Sequence, residues 1–529
     1  MVANFAKYVK FILKREWIIS LVWFVALSFF ALLLAAVYPG MFPDEIAKAG
    51  MVATLNTPSM IALMGPVYGL DAMNPAIIMG QNCLVWFAIA IIVMNIFFIN
   101  RYTRTDEELG RLEMIIALPV GKLTDSVSMI FLSFMLNLLI ALSIAVFTLV
   151  TGIEGSSLLG ALVYGLSIGM QGFAFAMWAL LMAQLFSTAS GSIGAAFALM
   201  GISYMLRAYG DMNDNLLSYI SPMGLGLKVE AFYTNHFMPV FVLFAQAIVV
   251  AAIALWINAR RDLGKGVFPA RKGKAHASKW LLSPLGFAWR LLRNGFFAWS
   301  IGVFAMAAVY GSVIGELDNF VEGNEMMQQM LQGQGGAATL SDAFIALLNG
   351  IMALLISIPL ISCVNRLRNE EKRGRLEQIV ATSISKKSIL WSFILIAVLE
   401  SLVLTLFGVF GLYAAATSSG LVAFGTLMKA AFIYLPALFV TISFAVFLVG
   451  MFPKLTAFVW LVPGYSFLTF YFGRLFRIPE IALKISPFGN IPQLPVQEFS
   501  LMPLMVLCVI AIGFCAMGVV GFERRDVKS

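Results

Sequence analysis

Arg104-x-Asp106-Glu107-x-x-Gly110-Arg111-Leu112-Glu113 returns 264 residues later as Arg368-x-Glu370-Glu371-x-x-Gly374-Arg375-Leu376-Glu377. The spacing is identical, and each run lies between long apolar stretches. The same offset relates Arg260-Arg261-Asp262 to Arg524-Arg525-Asp526, and an offset of 265 relates Ser221-Pro222-x-Gly224 to Ser486-Pro487-x-Gly489. Matches held at a near-constant offset along a chain mark an internal duplication. The chain therefore reads as two copies of one unit, each with the same charged segment at the same place.

Composition says what kind of unit this is. The 529 residues are 61% hydrophobic and 12% charged, with a mean hydropathy of +0.92. No soluble domain carries that balance, and many uncharged runs reach the roughly 20 residues needed to cross a bilayer as a helix. The runs are continuous rather than alternating, which argues against a β-barrel. The expected fold is all-α and polytopic, with about twelve spans. In the first copy they fall near 17–38, 80–99, 127–150, 158–186, 190–208 and 239–257, with a short break near Ser187–Ser190 between the fourth and fifth. In the second they fall near 295–315, 343–364, 388–413, 423–451, 455–473 and 501–521. The units are 1–263 and 287–529, joined by a basic linker, 264–286, whose Gly, Ser and Pro content predicts no fixed fold.

The net charge of +8 follows from topology rather than from a nucleic-acid partner. Most of the 35 Lys and Arg fall in the N-terminal segment, the segments after spans two and eight, the linker and the C-terminus, while loop 316–342 has acids and no bases. By the positive-inside rule that places both termini in the cytoplasm. The four cysteines, Cys83, Cys363, Cys508 and Cys515, lie in apolar stretches and predict no disulfide. His236 and His276 have no ligand spacing around them, so no metal site is expected.

Residues 104–118 and 368–382 read as short amphipathic helices. Glu107 and Arg111 stand four apart in the favourable acid-first order, and Glu371 and Arg375 repeat the pair. Leu112, Ile115 and Ile116, and then Leu376, Ile379 and Val380, form an apolar edge; Pro119 ends the first helix and Ser383 holds the equivalent place. A dense charged face repeated at matched positions suits docking of something outside the membrane. Each half also opens on a basic, interfacial-helix pattern, with Phe5, Val9, Ile12 and Leu13 opposing Lys7, Lys10 and Lys14 in the first. Late loops 209–238 and 474–500 fit either re-entrant segments or surface loops. Glu400 is a carboxylate in mid-span, where charge is costly, so it marks either a translocation path or a group bonded between helices. Its counterpart falls at Leu136 or Asn137, and Asn137 is the matching polar candidate.

Taken together, these features resemble the membrane subunit of ABC-2 type exporters (type V-like architecture). The motif that carries the likeness is DEELGRLE at 106–113 and EEKRGRLE at 370–377. Two such units fused in one chain resemble the bacterial polyketide-antibiotic exporter permeases, and the resemblance covers nearly the whole chain. It implies that the charged helices are coupling helices contacting an ATP-binding subunit through Arg104, Asp106, Glu107, Gly110, Arg111 and Glu113, and through Arg368, Glu370, Glu371, Gly374, Arg375 and Glu377. The copies depart from each other at Glu108 against Lys372 and Leu109 against Arg373, which predicts unequal docking surfaces.

No Gly-x-x-x-x-Gly-Lys-Ser/Thr run occurs, so the chain is expected to be a transport subunit and not an enzyme, binding no cofactor itself. The resemblance implies two copies of an ATP-binding subunit, identical or different, holding ATP and magnesium, and a small amphipathic substrate moved outward across the bacterial plasma membrane. Membrane lipids are the remaining expected partner. A twelve-helix secondary transporter of the major facilitator kind is the alternative, although its tight loops and internal ionisable residues fit less well. A membrane enzyme on lipid or polyprenyl substrates lacks clustered histidines or paired interfacial acids here.

Overall fold

The computed structural model describes residues 3–41, 52, 55–56, 58–70, 72–269, 276–313, 340–381, 384–416, 423–472 and 479–526. Acidic residues 316–325, the linker residues 270–275, Ser383 and residues 474–478 of the last long loop, all part of the sequence reading, lie outside these. The chain divides into two compact units, Met1–Gly273 and the residues from Lys274 onward.

In the first unit the elements are α1 (Phe5–Met41), α2 (Pro58–Met64), α3 (Pro75–Asn100), a π-turn (Arg101–Thr105), α4 (Asp106–Glu108), α5 (Arg111–Ile116), α6 (Thr124–Val150), α7 (Leu158–Leu185), α8 (Ala189–Met212), α9 (Leu217–Ile220), α10 (Pro222–Leu227) and α11 (Met238–Arg260). The second runs α12 (Pro284–Val313), α13 (Leu340–Lys372), α14 (Arg375–Val380), α15 (Lys386–Ala416), α16 (Phe424–Phe432), α17 (Leu435–Met451), α18 (Leu461–Phe472), α19 (Glu480–Ile485) and α20 (Leu501–Arg524), with short 3-10 turns between.

Local chemistry sets the helix starts. Asn74 accepts the N–H of Ile77 ahead of Pro75, Ser157 accepts the N–H of Gly160, and Thr188 accepts the N–H of Gly191. Each cap answers one of the unpaired donors of a first turn, and proline at the first position has no donor to lose. The Thr188 cap turns the short break after α7 into a separate helix. Buried α7 is the centre of the first unit, packed by α3, α6 and α11. Gly165 and Gly169 let it approach α6 closely, since a Cβ there would meet the carbonyl oxygens of Ala141 at 2.2 Å and Asn137 at 2.7 Å.

Among the described residues eleven helices are long and apolar enough to cross a membrane. The remaining expected span, 455–473, is a 3-10 turn at Thr456–Trp460 followed by the shorter α18. Pro463 cannot donate to the carbonyl four residues before it, so α-helical bonding does not extend upstream through Val459.

Two expectations change, and the two late loops differ from each other. The interfacial segments are not separate: Phe5–Met41 and Pro284–Val313 are each one continuous helix. Basic residues on outward turns need no break in the backbone. The linker begins ordered, with Phe268 donating its N–H to the Leu185 carbonyl at 2.7 Å and Gly266 donating to the Ser187 hydroxyl at 3.1 Å. Of the two late loops, the first buries Met223–Leu227 and Val229 within its unit, whereas Ile481 and Ile485 in the second are exposed. The repeated Ser-Pro-x-Gly explains what the loops share: Ser221 and Ser486 each cap the turn that follows and each pair with a helix serine, Ser203 or Ser466, at 2.8 Å.

Candidate functional site: two charged elbows

Each charged segment is a bend rather than one helix. In the first unit α3 passes through the π-turn into the single turn of α4. Gly110 then takes a left-handed φ of 70°, and α5 leaves in a new direction. Gly374 does the same between α13 and α14 with φ of 67°. Nothing lies within 4 Å of a Cβ built on either glycine, so the backbone angle, not space, asks for glycine.

The bend overturns the pairing read from spacing. Glu107–Arg111 and Glu371–Arg375 would be neighbours only on an unbroken helix. Instead Arg111 reaches Asp106 at 3.1 Å and Arg375 reaches Glu370 at 3.3 Å. Glu107 turns inward. It pairs with Arg104 at 2.9 Å, takes both terminal nitrogens of Arg261 (Nη2 at 2.7 Å), and accepts the N–H of Gly264 at 2.7 Å. Glu371 pairs with Arg368 at 2.9 Å and with both terminal nitrogens of Arg525 (Nη2 at 2.8 Å). The two acid–arginine pairs span the same 154 residues. Lys122 donates to the Arg261 carbonyl at 2.8 Å and Lys386 to that of Arg525 at 2.9 Å, again a matched pair. Each elbow is thus locked to the end of the last helix of its own unit.

The resemblance assigned Arg104, Asp106, Glu107, Glu370 and Glu371 to docking; all five are buried. What faces outward in the first elbow is Glu108, Leu109, Arg111, Glu113 and Met114; in the second it is Lys372, Arg373, Arg375, Glu377 and Gln378. Arg368 is half-buried by its partners. The first elbow has two further anchors that motif reading missed: Arg15 of α1 makes a two-pronged contact with Asp106 at 2.6 and 3.0 Å, and Arg101 meets Glu16 at 2.9 Å. In the second, Glu370 is met instead by Arg366 at 3.2 Å, from its own helix. Arg261 and Arg525 had a signal in the duplicated Arg-Arg-Asp; Arg15 had none beyond its charge.

The two path candidates differ. Asn137 exchanges side-chain amide bonds with Asn95, both at 2.9 Å, and donates to the Ser133 carbonyl at 2.8 Å. Its polar atoms are used inside the unit. Glu400 is buried on α15 with its carboxyl against the Cys363 thiol of α13.

The comparisons agree with this duplicated architecture. The family model described as "Multidrug efflux system permease Rv1217c, C-terminal domain" matches residues 281–523. The multidrug efflux system permease protein Rv1217c of Mycobacterium tuberculosis (strain ATCC 25618 / H37Rv) is 30% identical over 524 residues, covering 98% of this chain and 94% of that protein. Likeness at that level across both units, on an all-helical fold with a locked elbow in each half, makes this chain a member of the Rv1217c family of multidrug efflux permeases, an ABC-type exporter permease of two-unit form.

Proposed function

We propose that the chain is the membrane subunit of an ATP-driven exporter in the bacterial plasma membrane, moving amphipathic or hydrophobic compounds outward. ATP and magnesium are held by two separate ATP-binding subunits, which dock on the outward faces of the two elbows. Both termini are cytoplasmic in this reading, which the one-sided distribution of Lys and Arg supports. The observation that carries the docking assignment is the matched construction of the elbows. Each turns its motif acid inward onto an arginine of the last helix and leaves other charged residues exposed on its outer face. A load applied to that face passes through a buried ion pair to a long helix.

Charge reversal at Glu107 or Glu371 would test folding rather than docking, because both are buried. The exposed pair Glu113→Lys with Glu377→Lys is the suitable variant. The tagged chain is captured from its native membrane in mild detergent and its companions identified by mass spectrometry. Capture of an ATP-binding subunit by the wild type and its depletion from the double variant, at equal chain yield, is expected. Absence of any ATPase, with other membrane complexes intact, would overturn the reading.

A further inference from the structure

The second unit holds a cavity of about 730 Å³ that the docking function does not use, lined by Thr426, Lys429, Phe432, Ile433 and Pro436 on one side and by Leu494, Pro495, Phe499 and Leu504 on the other. Its volume lies within the range of small-molecule sites, roughly 300–1,000 Å³. The lining residues are apolar except for Thr426 and Lys429.

Pro436 causes the shape of the wall. It cannot donate to the Phe432 carbonyl, and the helix parts at Ile433–Tyr434 into α16 and α17. Broken helices inside apolar bundles persist where they line a cavity, and in transporters such breaks mark binding sites. Lys429 stands on the cavity side of this break. At 1.5 Å per residue it lies about 8 Å along the axis from Phe424. That end is the one away from the elbow, since Pro453, just beyond the other end, accepts a hydrogen bond from Arg368 at 3.2 Å. Lys429 is exposed, and among the described residues no carboxylate pairs with it. An ammonium without a carboxylate partner beside apolar walls can form a charge-assisted hydrogen bond to a ligand that brings one negative charge and an apolar body.

We propose that this cavity binds a singly anionic amphiphile, its acidic group on Lys429 and its apolar part against Phe432, Ile433, Phe499 and Leu504. The site deepens the exporter reading, on which it rests for any role in transport. Its binding test needs no ATP-binding subunit, so failure of one reading does not mimic failure of the other.

The test uses the purified full chain in neutral detergent, titrated with 11-(dansylamino)undecanoic acid and with its uncharged methyl ester. The wild type is expected to bind the acid about tenfold or more tightly than the ester, a difference near 1.4 kcal/mol. Lys429→Gln is expected to remove that preference while leaving the ester affinity unchanged, Lys429→Arg to keep it, and Ile433→Trp to weaken both probes by filling the cavity. Equal affinity for acid and ester in the wild type, or an undiminished preference in Lys429→Gln, overturns the proposal. Displacement of the bound acid by dioleoylphosphatidylglycerol but not by dioleoylphosphatidylcholine assigns the site to a lipid headgroup; no displacement by either assigns it to a free amphiphile, and both outcomes uphold the anionic site.

Discussion

A carboxylate taken out of water costs several kcal/mol unless its charge is met, and Glu107 meets it with two guanidinium groups and a backbone N–H. Replacing it by alanine leaves Arg104 and Arg261 facing each other in a buried site. Glu107→Ala is therefore expected to lose about 3–5 kcal/mol of stability, read as an earlier thermal unfolding midpoint in detergent. The double variant with Arg261→Ala should lose less than the sum of the two single changes. A Glu107→Ala chain that unfolds with the wild type would remove the lock. Glu371→Ala should fall at the lower end of that range, because Arg368 and Arg525 are 15% and 18% exposed whereas Arg104 and Arg261 are 1% and 9%. Glu400 calls for a different outcome. Gln fills the same space and removes only the charge, so Glu400→Gln should keep yield and unfolding temperature while slowing export in a whole-cell efflux assay. Normal export would reduce Glu400 to a packing residue. These residues were unequally legible in the sequence. The acids of the motif were visible at once, and the duplicated Arg-Arg-Asp already held the partners of Glu107 and Glu371. Which acid met which base was not visible, because that depends on a bend set by one glycine.

At the scale of the element, the elbow works because Gly110 and Gly374 hold a conformation that other L-residues resist. Adding a Cβ at such an angle costs roughly 1–2 kcal/mol. Gly110→Ala should therefore lower stability by about that amount while Gly110→Asn, which tolerates the angle better, loses less. The assay is chemical or thermal unfolding, accompanied by retention of the ATP-binding subunit. If alanine and asparagine behave alike, the bend is not set by this φ. The same physics explains what sequence periodicity could and could not deliver. Long apolar runs gave the spans, since bilayer thickness alone fixes their length, but not the capped starts: the second span was placed at 80–99, whereas Asn74 caps a helix that begins at Pro75. Periodicity carried straight through Gly110 and produced a helix with the wrong neighbours. It also broke α1 near residue 16, where the change from basic to apolar composition involves no change in backbone.

For the whole molecule, duplication made the architecture legible, and divergence between the copies makes the exposed faces of the two elbows chemically unlike. The first elbow shows two acids, Glu108 and Glu113, against one base, Arg111, together with exposed Leu109 and Met114. The second replaces Leu109 by Arg373 and Met114 by Gln378, and shows Lys372, Arg373 and Arg375 against Glu377 alone. One face offers apolar contact and a slight negative charge; the other is basic and polar. Burial of apolar surface is insensitive to moderate salt, whereas contacts between exposed charges weaken as the screening length falls from about 10 Å at 0.1 M to about 3 Å at 1 M. If the proposed complex forms, raising salt should therefore release the ATP-binding subunit from the second elbow first, leaving a complex with one subunit per chain that native mass spectrometry resolves. Lys372→Glu with Arg373→Glu, both exposed and outside the ion pairs of the elbow, should give that one-subunit complex already at low salt. Leu109→Asp with Met114→Asp should instead empty the first elbow and leave the second occupied. Simultaneous loss of both subunits across the salt range, with no one-subunit species, would mean that the two faces act as a single docking surface despite their chemistry.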